Sequence, residues 1–181
     1  MNAHVVSIGA LGVLFLASSN YQNISTAISS VSTGSSKPVT GNIEALRYAI
    51  IGQESGGNPK IRNSDTGAAG LGQIMPSNIP NWSYQAIGRR LTVNQFLSSP
   101  QLQKTIIDHK LNEYYQRELV KAKGDERLAV RRVASAWYSG NANWYKSTRP
   151  QCEKSGRCYP SIQDYSLAIL NRYEKEKAKN K

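Results

Sequence analysis

Along residues 42–55, apolar side chains fall at Ile43, Leu46, Ile50 and Ile51, the spacing of one face of a helix. The pattern predicts a first helix over 42–55, ended by Gly56, Gly57 and Pro59. Residues 60–80 are rich in Gly, Asn, Ser, Asp and Pro and are expected to be loop with room for one short helix. Further short helices are expected over 82–88 and 92–98. A longer helix begins after Ser99, where Pro100 suits the first helical position. Its stripe is Ile107, Leu111, Tyr114, Tyr115 and Leu119, and it stops before Gly124. Asp125 is placed to cap the next helix, which buries Leu128, Val130, Val133, Ala134 and Trp137 and ends at Gly140. A last helix starts near Pro160 with Ile162, Tyr165, Ile169 and Tyr173 on one side, and the alternately charged run 174–181 is expected to fray. No stretch alternates as a strand does, and no internal repeat is present. The fold class is mainly α.

One residue breaks the chemistry of this pattern. At 100° per residue, Glu54 lies about 20° from Ile43 and about 40° from Ile50 around the first helix, so a carboxyl group continues the apolar stripe. Held away from water, a carboxyl keeps its proton to higher pH, because desolvation disfavours the charged form. An acid still protonated near neutral pH can act as a general acid. The competing reading is a helix-terminal ion pair with Arg47, which lies about 20° to the other side.

The ends of the chain carry different signals. Residues 5–16 form an apolar run too short for an ordinary membrane span, followed by Ala17-Ser18-Ser19, a small-x-small pattern of the signal-peptidase kind. A cleaved export signal, an uncleaved anchor and a buried segment all fit, with export the favoured expectation and a periplasmic or envelope location its consequence. Residues 20–41 are dominated by Ser and Thr and suit a spacer. The folded domain is then expected over 42–175, with a charged tail at 176–181. The 181 residues suit one domain, expected to be monomeric, and the net charge of +11 favours a polyanionic partner. No zinc-finger spacing, arginine-rich run or aromatic RNA-binding signature is present, so nucleic acid is not the expected partner. The two cysteines, Cys152 and Cys158, are too few for a metal site without nearby His. In an exported protein they would close a local disulfide; in a reducing compartment they would be free thiols.

Ten residues after Glu54 comes Ser64-Asp65-Thr66-Gly67-Ala68-Ala69-Gly70-Leu71-Gly72-Gln73-Ile74-Met75-Pro76. Its glycines allow close backbone approach to a ligand groove, and Ser64 and Gln73 supply neutral hydrogen-bonding groups. Together with Glu54-Ser55-Gly56-Gly57-Asn58-Pro59, this segment resembles the soluble-type lytic transglycosylase domain. Ala136-Trp137-Tyr138-Ser139-Gly140-Asn141 resembles that family's third motif, and Tyr159-Pro160 with Tyr165, Ile169 and Tyr173 its closing segment.

The resemblance covers about 42–175 and implies a lysozyme-like helical fold with the Gly-rich loop beside a groove that binds the glycan strands of peptidoglycan. It implies no metal or cofactor. Glu54 matches the single catalytic acid/base, Ser64 the serine near it, Gln73 a groove residue, and Tyr165 a tyrosine close to the catalytic carboxyl. Tyr138 falls on a substrate-binding position and is expected to touch the sugar, but it stands where the family usually has Asn; Asn141 and Asn143 are candidate substitutes for that amide. Trp137 and Trp144 offer stacking surface for sugar rings, although Trp137 also fits the core stripe of its helix. Two other functions stay open. If Asp65 reaches the groove beside Glu54, a two-carboxylate muramidase of the goose-lysozyme kind becomes available. If the scaffold has lost turnover, it would serve as a wall-binding or assembly factor of a secretion, conjugation or phage apparatus.

Overall fold

The computed structural model of the chain describes residues 40–152, 156 and 158–179. The expected export segment at 1–19, residues 20–39 of the expected spacer, and the last two residues lie outside it. The described residues form six α-helices: α1 Thr40–Glu54, α2 Ile79–Ile87, α3 Val93–Leu97, α4 Pro100–Lys121, α5 Glu126–Ser139 and α6 Ile162–Lys179. A 3₁₀ turn at Ala142–Trp144 follows α5. A ladder of β1 Gln151–Cys152 and β2 Cys158–Tyr159 runs antiparallel before α6, closed by a Cys152–Cys158 disulfide.

Local chemistry sets the helix ends. Thr92 and Gln95 form a reciprocal capping box at α3. The Ser99 side chain accepts from Leu102 N–H at the start of α4, with Pro100 just inside. Asp125 does the same for α5 through Leu128 N–H, and Gly140 ends that helix in the left-handed conformation at φ 75°. Each side-chain cap stabilises its helix by about 1 kcal/mol.

Helix α1 packs between α4 and α6, α5 covers the seam formed by those two, and α2 and α3 rest on α4. The core runs through Leu46 and Ile50 of α1, Ile106, Ile107 and Leu111 of α4, Val130 and Val133 of α5, and Ile162 and Ile169 of α6. At roughly 1.5–3 kcal/mol for each large aliphatic side chain taken out of water, this interior is the main force holding α1 in place.

Several expectations need correction. In α5 the buried aromatic is Tyr138, whereas Trp137 and Leu128 are only half-buried. The stripe passes from Ala134 to its i+4 neighbour Tyr138, which leaves Trp137 on the flank. The charged end of α6 does not fray within the described residues. It stays helical to Lys179, pinned to the first turn of α5 by Lys177 Nζ on Glu126 Oε1 at 2.5 Å. The two-residue strands are too short for alternation to reveal. Buried polar side chains on α4 also escaped the apolar pattern. Glu118 has no exposed surface and is held by Arg117 and Arg132 at 2.8 Å each.

Candidate active site

The core stripe of α1 carries Glu54 inward with it. Glu54 is the last residue of the helix and has no exposed surface. Tyr165, in the first turn of α6, donates its hydroxyl to Glu54 Oε1, while Oε2 has no hydrogen-bond partner. Burial pushes the carboxyl up to about 8, the Tyr165 hydrogen bond working in the opposite direction. The ion-pair alternative fails on geometry. Arg47 is taken by Asp108 at 2.5 Å and Glu44 at 3.2 Å. Burial and the neighbouring Glu54 hold the Tyr165 hydroxyl well above its ordinary range, so it remains a donor.

Tyr138 reaches the same cluster from α5. Its ring stacks on Tyr165 with centroids 4.3 Å apart and planes 12° from parallel, and its hydroxyl donates to the Pro160 carbonyl at 3.1 Å. Only 3% of Tyr138 is exposed, which leaves little of it for a sugar to touch. Asn141 and Asn143, the candidate substitutes, are both engaged locally. Asn141 Oδ1 accepts from Asn143 N–H at 2.9 Å, and Asn143 Oδ1 accepts from Arg132 at 2.9 Å.

A groove runs on from Tyr138, lined among others by Gln73, Met75, Asn78, Trp82, Tyr114 and Trp137. Gln73 is buried at a left-handed φ of 47°, with its amide nitrogen donating to the Gly70 carbonyl at 3.1 Å. Trp137 donates from Nε1 to the Gly72 carbonyl at 3.2 Å and packs against Trp82 with centroids 5.5 Å apart. Its ring faces the groove, with Gly72 beneath it: a Cβ there would lie 2.8 Å from Trp137 Cζ2. Trp144 is half exposed on the 3₁₀ turn.

Ser64 is exposed and donates to Asp65 Oδ1 at 3.1 Å, with Asp65 exposed as well. The turn around them is built by Asn63, whose Oδ1 accepts from Asp65 N–H and Thr66 N–H at 2.9 Å each. Burial and the Tyr165 hydrogen bond set the state of the Glu54 carboxyl.

Gln103 is the site residue that the apolar pattern missed. From α4, without exposed surface, its Oε1 accepts from Leu71 N–H at 2.8 Å and its Nε2 donates to the carbonyls of Pro59 at 2.9 Å and Phe96 at 3.2 Å. One amide thus fastens the chain leaving Glu54, the Gly-rich loop and α3 together. The available signal was its i−4 position relative to Ile107, which puts a polar residue on an apolar stripe. Among the described residues, no group of His, Cys, Asp and Glu is arranged to hold a metal.

Neither the comparison with curated proteins nor that with solved structures returned a match. The family described as the transglycosylase SLT domain matches residues 37–143. That span, more than half of the chain, takes in Glu54, the Gly-rich loop, Gln103, the groove and Tyr138, and stops short of Tyr165. The chain belongs to the transglycosylase SLT domain family.

Proposed function

We propose that this protein is a lytic transglycosylase that cleaves the β-1,4 bond between N-acetylmuramic acid and N-acetylglucosamine in peptidoglycan, with Glu54 as its one acid/base. The carrying observation is the state of that carboxyl: sealed from water, raised to about 8, with Oε1 held by Tyr165 and Oε2 unpartnered. A neutral carboxyl whose Oε1 accepts a hydrogen bond holds its proton on Oε2. It delivers that proton to the bridging oxygen as the bond to the muramic anomeric carbon breaks, and the substrate's acetamido group supports the developing cation. The carboxylate then takes the proton of the muramic C6 hydroxyl, whose oxygen closes on the anomeric carbon to give the 1,6-anhydro ring. No water is consumed, and the nucleophile is already tethered to the reacting centre.

Hydrolysing glycosidases use two carboxyl groups flanking the bond. Asp65 is exposed and accepts from Ser64 within its own turn, which favours the route without water over a muramidase. Because Glu54 has no exposed surface, the glycan must part the side chains above Oε2 to receive the proton. The disulfide and the apolar N-terminal run support placing this activity outside the cytoplasm. No helix of the described residues is long and apolar enough to cross a membrane.

The test is mass spectrometry of the muropeptides released from purified sacculi by wild type and Glu54→Gln. Anhydro-muramic ends from wild type alone are expected. Reducing ends would replace the reading with hydrolysis, and sacculus binding without product would replace it with a wall-binding role.

A further inference from the structure

We propose that Tyr138 is a positioning residue for the acid: stacked on Tyr165 and tied to the Pro160 carbonyl, it keeps the Tyr165 hydroxyl on Oε1 and leaves Oε2 to carry the proton. This rests on the acid/base reading of Glu54 and changes what position 138 is for. The residue was expected to touch the sugar. Its burial, its near-parallel stack on Tyr165 and its bond to Pro160 turn it toward the carboxyl instead.

Three elements meet at this point. Glu54 ends α1, Tyr165 opens α6, and Tyr138 lies near the end of α5. The Tyr165 hydroxyl sits at the tip of a long side chain, so a small tilt of its ring moves the donor off Oε1. The flat face of Tyr138 opposes that tilt, and the Tyr138 hydroxyl anchors the stack to the backbone just before α6. With Tyr165 in place, Oε1 is always an acceptor, in the acid and in the carboxylate formed after proton delivery. The same contact therefore selects the donating oxygen in the first step and stabilises the base in the second.

Among the described residues, the ionisable groups around the carboxyl are few. Tyr165 faces it from α6 and Tyr138 from α5, with Tyr159 of β2 acting on Tyr138. Arg172 of α6 lies beside Gly52 and Gln53, and Arg47 of α1 is paired with Asp108 of α4.

The experiment compares Tyr138→Leu and Tyr138→Met, which remove the flat ring, with Tyr138→Phe, which keeps it, and with Tyr165→Phe. Each is read by glycan-cleavage kinetics and by a ¹³C titration of the Glu54 carboxyl. The expected result for Leu and Met is a fall in kcat on the order of 10²-fold with KM changed less than about twofold. Their Glu54 midpoint should move upward toward that of Tyr165→Phe, while Tyr138→Phe, which keeps the stack and loses the anchor to Pro160, should fall between wild type and these variants in both turnover and midpoint. A raised KM at unchanged kcat would make Tyr138 a sugar contact and overturn the proposal. So would lost turnover with an unmoved midpoint, which marks a purely structural role. Since the titration needs no turnover, an inactive wild type would remove the transglycosylase reading and leave this test in force.

Discussion

At the scale of single residues, the decisive quantity is the free energy of charging Glu54. Cleavage by a general acid needs the neutral carboxyl, so activity should persist through neutral pH and fall as pH rises through about 8. Removing the Tyr165 donor takes away a contact that favours the carboxylate. Tyr165→Phe should therefore move that alkaline limb to still higher pH while lowering kcat, as a pH–rate profile would show. The same shift has a cost in stability. The unfolded chain ionises near the ordinary value of 4.5 and the folded chain only near 8, so between those values rising pH favours unfolding. Glu54→Gln cannot ionise and keeps an acceptor for Tyr165. It should be more stable than wild type at pH 8 by on the order of a few kcal/mol, the gap closing below the ordinary carboxyl range. Urea unfolding at the two pH values measures this, and equal stability at both would contradict the buried neutral acid.

At the scale of elements, the Gly-rich loop is held in shape from outside, by α4. Gly70 has φ 70°, and a Cβ on it would sit 2.3 Å from Gln103 Oε1 and 2.9 Å from Phe96 Cε1. Gly70→Ala should therefore destabilise by roughly 1–3 kcal/mol, through backbone strain and overpacking. Gln103→Ala strands the buried Leu71 N–H, at about 1–3 kcal/mol for that group, and takes one donor each from the Pro59 and Phe96 carbonyls. Because the two changes share one contact, the double variant should lose less than the two single losses added together, measurable by denaturant titration. Strict additivity would show that the amide does not press on the loop. Both variants should also lower turnover, since Gln73 and the seat of Trp137 lie on the same short segment.

At the scale of the whole molecule, the helical body and the hairpin before α6 are separable. The disulfide closes a short loop on β1 and β2, worth about 2 kcal/mol in the chain-entropy account, and the helices carry the core. Reduction, or Cys152→Ser, should lower the thermal midpoint while circular dichroism keeps its helical signal; loss of that signal would make the hairpin part of the folding core. Much of this molecule follows from local order along the chain. Periods of three and four residues, Asp125, Ser99 and the glycines place the helices, since caps and stripes act over a few residues. Glu54 stands out because an acid on an apolar face is visible in one dimension, and the motif spacing identifies the family. Only the packed structure decides the rest. Tyr138 and Trp137 are neighbours in sequence, and only the packing of α5 against α6 and the Gly-rich loop stacks the first on Tyr165 and seats the second on the Gly72 carbonyl. The Gln103 clamp joins groups 32 and 44 residues away. Glu54 meets its donor 111 residues further on. Which oxygen of the acid keeps its proton is thus set by contacts between distant helices, which local pattern does not encode.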